Sequence, residues 1–286
     1  MILVADSGSS KTDWILNFRN NPPVRFSTSG INPFFLTEKE IVKIFYSTQE
    51  IQPYFKGVRE IYFFGAGCSS PDRREVVSNA LSIVFKNAYI NIDQDSIGSL
   101  YATCGNKEGL CCILGTGSNI SYFDGFKVHP GKHGLGFILG DEGSGSYFGK
   151  KLVTDYLYGT MPAEVSTDFY NTYKINKETI IQHVYQKPGA NKYLAGFARF
   201  LSAQKDHPYI IELISNGFQK FFDSNIASYK NYRSYPCHFV GSIAYCFQDI
   251  LKTVCKENHV LLGKVLRKPI EELSSFIIDR EGSYKK

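Results

Sequence analysis

At 286 residues the chain is longer than one ordinary domain and is expected to hold two. With 43% hydrophobic and 21% charged residues it can bury a core without cross-links, which excludes global disorder. The net charge of +5 is spread thinly, with no Lys/Arg run longer than two, and argues against nucleic acid or an anionic membrane as partner. Seven cysteines cannot all pair within one chain, and none has C-x-x-C spacing, so reduced, mostly buried thiols are expected. The opening Met1–Asp6 has no basic segment and Asp6 interrupts its apolar run. It therefore reads as a strand rather than a secretory signal, and a cytoplasmic protein is expected. No apolar stretch approaches the ~18 residues of a membrane span.

In chain order, residues 2–5 and Thr12 to Phe18 form a hairpin around Gly8 and its flanking serines, and Val24 to Ser29 is a third strand. Thr37 to Gln52 has helical spacing, with Thr37 and Glu40 as a capping box. Glu60 to Phe64 is a strand that runs into Gly65-Ala66-Gly67. Pro71 then opens a helix, Ala88 to Ile92 is a strand, and Asp95 to Thr103 a helix. After Gly105–Gly109 the pattern restarts. Leu110 to Leu114 and Asn119 to Phe123 form a second hairpin around Gly115-Thr116-Gly117-Ser118, which makes a weak repeat at roughly 110 residues' spacing. A glycine-rich loop covers 130–141, and residues 142–231 are mostly helical. His238 to Val240 is a strand, Ile243 to Lys256 a helix, Val260 to Leu266 a strand and Pro269 to Ile278 a last helix. The expectation is α/β, in two lobes of 1–106 and 107–286. The second lobe carries a helical insertion, and the last helix packs back on the first lobe. A cleft between such lobes is a favoured place for a small molecule.

Four loops could carry chemistry. In Asp6-Ser7-Gly8-Ser9-Ser10-Lys11-Thr12 a glycine and hydroxyls at a strand turn can face phosphate oxygens, Asp6 can hold a hydrated Mg²⁺ and Lys11 adds charge. A plain hairpin turn is the alternative, and this is not a Walker A loop. Gly115-Thr116-Gly117-Ser118-Asn119 is the second, again phosphate loop or tight turn. In the third, Gly134 to Gly145, Asp141 and Glu142 stand among five glycines, and helix capping is the competing reading. Gly241-Ser242 after a strand gives a flat backbone site for adenine or ribose, or an ordinary strand-to-helix turn. Asp95 is the candidate base for phosphoryl transfer to a hydroxyl, against the alternative of an N-cap, with Asp93 and Asp72 as rivals. Asn32, before Pro33, is either a polyol contact or a turn residue.

Taken in order, these loops resemble the phosphate and adenosine elements of the actin–Hsp70–sugar kinase superfamily. Asp6-x-Gly8-x-x-x-Thr12, Gly115-Thr-Gly-Ser-Asn119 and Gly140-Asp-Glu-Gly-Ser144 resemble the BadF/BadG/BcrA/BcrD ATPase family, in its N-acetylglucosamine kinase-like branch, over residues 2 to about 278. The resemblance implies a ribonuclease H-like fold in both lobes (the actin-like ATPase fold), ATP with Mg²⁺, a 6-hydroxyl amino-sugar substrate and a homodimer. It implies Asp95 as base. It gives Asp6, Gly8, Ser9, Ser10, Lys11, Thr12, Gly115, Thr116, Gly117, Ser118, Gly241 and Ser242 to the nucleotide, with Asp6 reaching the metal through water. The sugar is implied to touch Asn32, Gly65, Ala66, Gly67, Asn119, Gly136, Asp141 and Glu142. Two departures bear on the sugar: Leu135 stands where an aromatic residue is common, and Pro33-Phe34 follows the asparagine in place of His or Trp. The zinc-binding Cys/His cluster of a different bacterial sugar kinase family is absent from the sequence. The aromatic-rich stretch 193–235 is the expected dimer surface. The alternatives are an ATPase that activates a 2-hydroxyacyl-CoA dehydratase, which would draw an iron–sulfur cluster from cysteines such as Cys104, Cys111 or Cys112, and a non-catalytic ATP- or sugar-binding sensor.

Overall fold

Five strands and three α-helices fill the first hundred residues of the computed structural model, which describes residues 1–8, 11–131 and 134–284. β1 (Ile2–Ser7) and β2 (Lys11–Asn17) make an antiparallel hairpin in which Asp6 faces Asp13 and Ser7 faces Thr12. β3 (Val24–Ser29) pairs with β2. α1 (Glu38–Tyr46) begins with the expected capping box between Thr37 and Glu40. It stops at Tyr46 rather than running to Gln52. The Ser47 and Thr48 hydroxyls donate to the Ile44 carbonyl at 2.9 and 2.7 Å, taking an acceptor at the helix end. β4 (Glu60–Gly65) lies parallel to β1. α2 (Pro71–Val84) leads to β5 (Tyr89–Gln94), parallel to β4, and α3 (Asp95–Cys104) follows without a linker.

The second run repeats this plan with more helix. β6 (Gly109–Leu114) and β7 (Ser118–Phe123) form a hairpin, and β8 (Val128–Pro130) pairs with β7. Then come α4 (Gly136–Leu139), α5 (Gly145–Tyr158), α6 (Ala163–Tyr173), α7 (Lys177–Ile181), α8 (Ala190–Gly196), α9 (Ala198–Ala203) and α10 (Pro208–Ser224). β9 (Cys237–Val240) is parallel to β6. α11 (Ser242–Cys246) and α12 (Gln248–Glu257) stand where one helix was expected, because Phe247 leaves helical dihedrals and buries its ring in the core. β10 (Leu262–Leu266) closes the sheet at one edge, and α13 (Ile270–Tyr284) ends the described chain. The sheet orders are β3-β2-β1-β4-β5 and β10-β9-β6-β7-β8, the same order read from opposite edges. The protein is α/β with two ribonuclease H-like sheets.

By contacts, residues 1–106 and 268–286 make one compact unit and residues 107–267 another. Alternating apolar residues on β1 and β2 place Leu3, Ala5, Trp14 and Leu16 in the first core, where Trp14 meets Phe26, Phe45 and Phe63 and donates Nε1–H to Thr28 at 3.0 Å. α13 covers the other face, packing on α3, β1 and β2 through the buried Leu273 and Ile277. It runs six residues past Ile278 because Glu281 accepts from the Tyr62 hydroxyl at 2.5 Å and Arg280 lies over the Tyr62, Tyr101 and Phe276 rings. In the second unit Phe197, Phe200, Phe218, Phe221 and Phe222 turn inward. The aromatic stretch expected to form a subunit surface is therefore largely core, and each ring contributes about 1.5–3 kcal/mol by leaving water. Among the described residues no helix is long and apolar enough to cross a membrane.

Candidate active site

In each unit the residues singled out in the sequence gather at the carboxyl ends of the parallel strands, the end where open α/β sheets bind ligands. In the first unit β1 stays apolar until Asp6, which the hairpin register sets opposite Asp13. Asp13 is neutralised by Lys11 Nζ at 2.9 Å and Lys268 Nζ at 2.7 Å. Burial, then the charges of Asp95 and Asp13, push the Asp6 carboxyl up to about 7, against a smaller opposing pull from Lys268. Asp6 thus keeps its proton more readily than an ordinary carboxyl, and a cation placed beside it would favour its ionised form. The Gly8 amide donates to the Lys11 carbonyl at 2.9 Å and closes the turn. Ser9 and Ser10 lie outside the described residues.

Thr12 lies on the inner face of the hairpin. Side chains alternate along a strand, so with Lys11 and Asp13 on one face Thr12 falls on the core face beside Ser7. Its buried hydroxyl lies 2.7 Å from the Ser7 hydroxyl and accepts from the Ile31 amide at 3.1 Å. Ser7 Oγ donates to the Ile31 carbonyl at 3.0 Å. Thr12 thus helps pin the segment before Asn32 to the hairpin.

Asn32 is buried, and its Oδ1 accepts from the Phe34 amide at 2.9 Å, so the turn reading describes this oxygen. Gly67, at φ 83°, lets the loop after β4 close on it: a Cβ there would stand 2.3 Å from Asn32 Oδ1. The Ala66 amide donates to the Ser7 carbonyl at 2.8 Å, so Asn32 and Gly65–Gly67 adjoin the end of β1. Asp95 is the first residue of α3, one past the N-cap position, which Gln94 takes. Its carboxylate accepts from the Ser96 amide at 2.9 Å. Burial raises its pKa more than that backbone bond lowers it. The rivals are otherwise occupied. Asp93 is met by Arg74 Nη2 at 3.3 Å, and Asp72 is exposed in the first turn of α2, where the helix dipole accounts for it. Cys68 lies near enough that Asp95, after burial, helps push its thiol up to about 12.

In the second unit the Gly115 amide donates to the Gly117 carbonyl at 3.0 Å. The carbonyls of Gly115 and Thr116 accept from the Gly145 and Ser146 amides at 2.8 and 2.9 Å, and Ser144 caps α5 by accepting from Tyr147. Ser144, and not Asp141 or Glu142, therefore caps α5. Gly115 has an ordinary φ, and a Cβ on it would meet nothing within 4 Å. Neither conformation nor packing demands glycine there, which leaves close approach by something outside the chain as its reason. Gly241 is the opposite case: its φ is 126°, and a Cβ would lie 2.3 Å from the Leu114 carbonyl. Ser242 is exposed at the start of α11, Thr116 and Asn119 are exposed, Gly136 is exposed at φ 73°, and Glu142 is half-buried. Asp141 lies against the Gly115–Ser118 loop: Ser118 N–H donates to its Oδ1 at 3.3 Å.

No family model matches the sequence, and no curated protein matches it. Among solved structures, a Porphyromonas gingivalis protein provisionally described as an N-acetylglucosamine kinase is 37% identical over 98% of this chain and 100% of its own, with a TM-score of 0.91. The chain belongs to that protein's family. A Chromobacterium violaceum protein with the same provisional description (14% identity, 96% and 98% coverage, TM-score 0.70) shares the fold. So does a ROK family glucokinase from Streptomyces griseus solved with glucose and AMPPNP (11% identity, 96% and 98% coverage, TM-score 0.54). The fold is that of actin-like ATPases and sugar kinases.

Reading the residues alone missed Ser7, Asp13, Arg74 and Lys268. The hairpin register would have placed Asp13 beside Asp6, whereas Lys268 comes to Asp13 from 255 residues away with no local signal. The family's fold implies a magnesium ion. Among the described residues no group of three or more His, Cys, Asp or Glu could hold a metal by itself. A magnesium ion keeps several waters and is bound by one or two carboxylates plus substrate phosphates. Asp6, a buried carboxyl with the carboxylates of Asp95 and Asp13 near it, is the residue that would hold such an ion. Cys104, Cys111 and Cys112, the cysteines an iron–sulfur cluster would draw on, are buried, the last two inside β6.

Proposed function

We propose that the chain is an ATP-dependent kinase of the BadF/BadG/BcrA/BcrD type that phosphorylates the 6-hydroxyl of an amino sugar, N-acetylglucosamine foremost. The observation that carries the reading is Asp95, a half-buried carboxylate of raised proton affinity at a strand-to-helix junction, beside Asp6 and near Cys68. Its surroundings match the need of phosphoryl transfer to an alcohol for a carboxylate that accepts the proton. The provisional description of the 37% identical Porphyromonas protein supports an amino sugar as the alcohol.

In this reading Asp95 takes the proton of the 6-hydroxyl as its oxygen bonds to the γ-phosphorus and the bond to the β–γ bridging oxygen breaks, releasing ADP. The residues assigned to the phosphates are Gly8, Ser9, Ser10, Lys11, Thr12 and Gly115–Ser118, and those assigned to the adenosine are Gly241 and Ser242. Asn32, Gly65–Gly67, Asn119, Gly136, Asp141 and Glu142 line the sugar. Asp6 would hold Mg²⁺ through water, and the ion would supply neutralisation of phosphate charge. A cytoplasmic homodimer belongs to the same reading.

The test is ADP release from Mg-ATP with N-acetylglucosamine, glucosamine, glucose or N-acetylmuramate, in the wild type and in Asp95→Asn. Release is expected to depend on one amino sugar and to fall about 10²–10⁴-fold in the variant, mainly in kcat. Release that ignores every sugar, or near wild-type turnover in Asp95→Asn, would sink the proposal.

A further inference from the structure

The Ser118 amide belongs to the loop assigned to phosphate, yet in this structure it is given to a carboxylate of the same chain. Ser118 N–H donates to Asp141 Oδ1 at 3.3 Å. The other oxygen lies along Gly117, where a Cβ would be only 2.8 Å from Asp141 Oδ2, so the loop's second glycine makes room for that side chain. The Asp141 backbone sits at φ 59°, a region costly for most side chains and most tolerable for Asp and Asn. Its carbonyl accepts from the Ser144 amide at 3.1 Å, a turn that sets the side chain against the loop. A carboxylate and a phosphate oxygen cannot share one amide, because two anions at such range repel.

We infer that Asp141 is a resident stand-in for a nucleotide phosphate, and that an arriving polyphosphate displaces it from Ser118 and so frees its carboxylate for the sugar. The inference rests on the proposed kinase reading and deepens it, making Asp141 the positioning residue that couples the two substrates. Three consequences follow from one contact. Asp141 weakens nucleotide binding, because it must be moved. It strengthens sugar binding only once moved. By linkage each ligand then tightens the other by the same factor.

Calorimetry with ADP plus Mg²⁺, with N-acetylglucosamine, and with both, on wild type, Asp141→Asn and Asp141→Gly, tests this. Asn removes the charge while tolerating the same backbone, and Gly removes the side chain where φ is positive, so both keep the turn. Both are expected to bind ADP about tenfold tighter than wild type, the order of one charge-assisted hydrogen bond no longer displaced. Both should bind sugar more weakly. Wild type should show ADP tightening sugar binding about five- to tenfold, a coupling that should fall towards one in the variants. A merely structural role for Asp141 would weaken both ligands together. Equal or weaker ADP binding in both variants overturns this inference and leaves the kinase reading standing. No ADP binding by any of the three overturns both.

Discussion

The hairpin of β1 and β2 and the hairpin of β6 and β7 share a place in the topology but are fastened differently. The first is held by side chains: Ser7 and Thr12 bond each other and the Ile31 backbone inside the core. The second is held by backbone: Gly115 and Thr116 carbonyls receive the first amides of α5, and Gly241 packs against Leu114. A turn held by side chains is damaged by deleting atoms, and one held by backbone is damaged by adding them. A chain with both offers that contrast within one molecule.

The largest effect is expected at Gly241→Ala. The added Cβ meets the Leu114 carbonyl at 2.3 Å with φ at 126°, so strain and clash should together remove about 3–5 kcal/mol of stability, read from urea unfolding. A loss under 1 kcal/mol would mean the second hairpin is not tightly backed by β9. Thr12→Val comes next. It keeps the shape and removes a buried hydroxyl from the network of Ser7 and Ile31, for a loss of about 1–3 kcal/mol. Unchanged stability would dissolve the contrast between the two hairpins.

A pH effect is expected to be smaller. The folded chain holds the Asp6 proton up to about 7, above the ordinary carboxylate range. Between about pH 4 and 7 the folded state therefore binds more protons than the unfolded one, and this group lowers stability as pH rises through that window. Asp6→Asn should remove this decline, so its unfolding midpoint should gain on the wild type from pH 4 to 7. Parallel curves would contradict the burial of Asp6 and its crowding by Asp95 and Asp13. The smallest effect belongs to Gly115→Ala, which has open space and an ordinary φ. Stability should stay within about 0.5 kcal/mol while ADP binding weakens in the same calorimetric titration. Intact ADP binding would remove the reason given for that glycine.

The strands were legible because apolar runs and alternation are local: β1, β4, β6 and β9 carry their burial in their own residues. Asp6 and Gly115 stood out in the sequence because each ends or follows an apolar run and adjoins glycine and hydroxyl residues, and Asp95 because it is an acid directly before a helical pattern. The bond of Thr12 to Ser7 and Ile31 was not legible in the loop motif, although strand alternation places Thr12 on the inner face. Asp141 beside Ser118 was not legible, since a contact across 23 residues depends on how α5 docks on the loop. The break at Phe247 escaped for a similar reason: it reflects where a ring must go, and helix periodicity carries no such signal.

The return of α13 to the first unit has a consequence in time. A ribosome makes residues 1–106 first, but the face of the first sheet that carries Asp6 and Asp13 waits for residues 270–284 to be covered. Asn17 and Arg25, made early, find Ser274 and Glu271 only some 250 residues later. The contiguous second unit, by contrast, has all its own strands as soon as Leu266 has emerged. The half that holds the proposed catalytic carboxylate is thus begun first, and its last contacts are made only after the second unit has been synthesised.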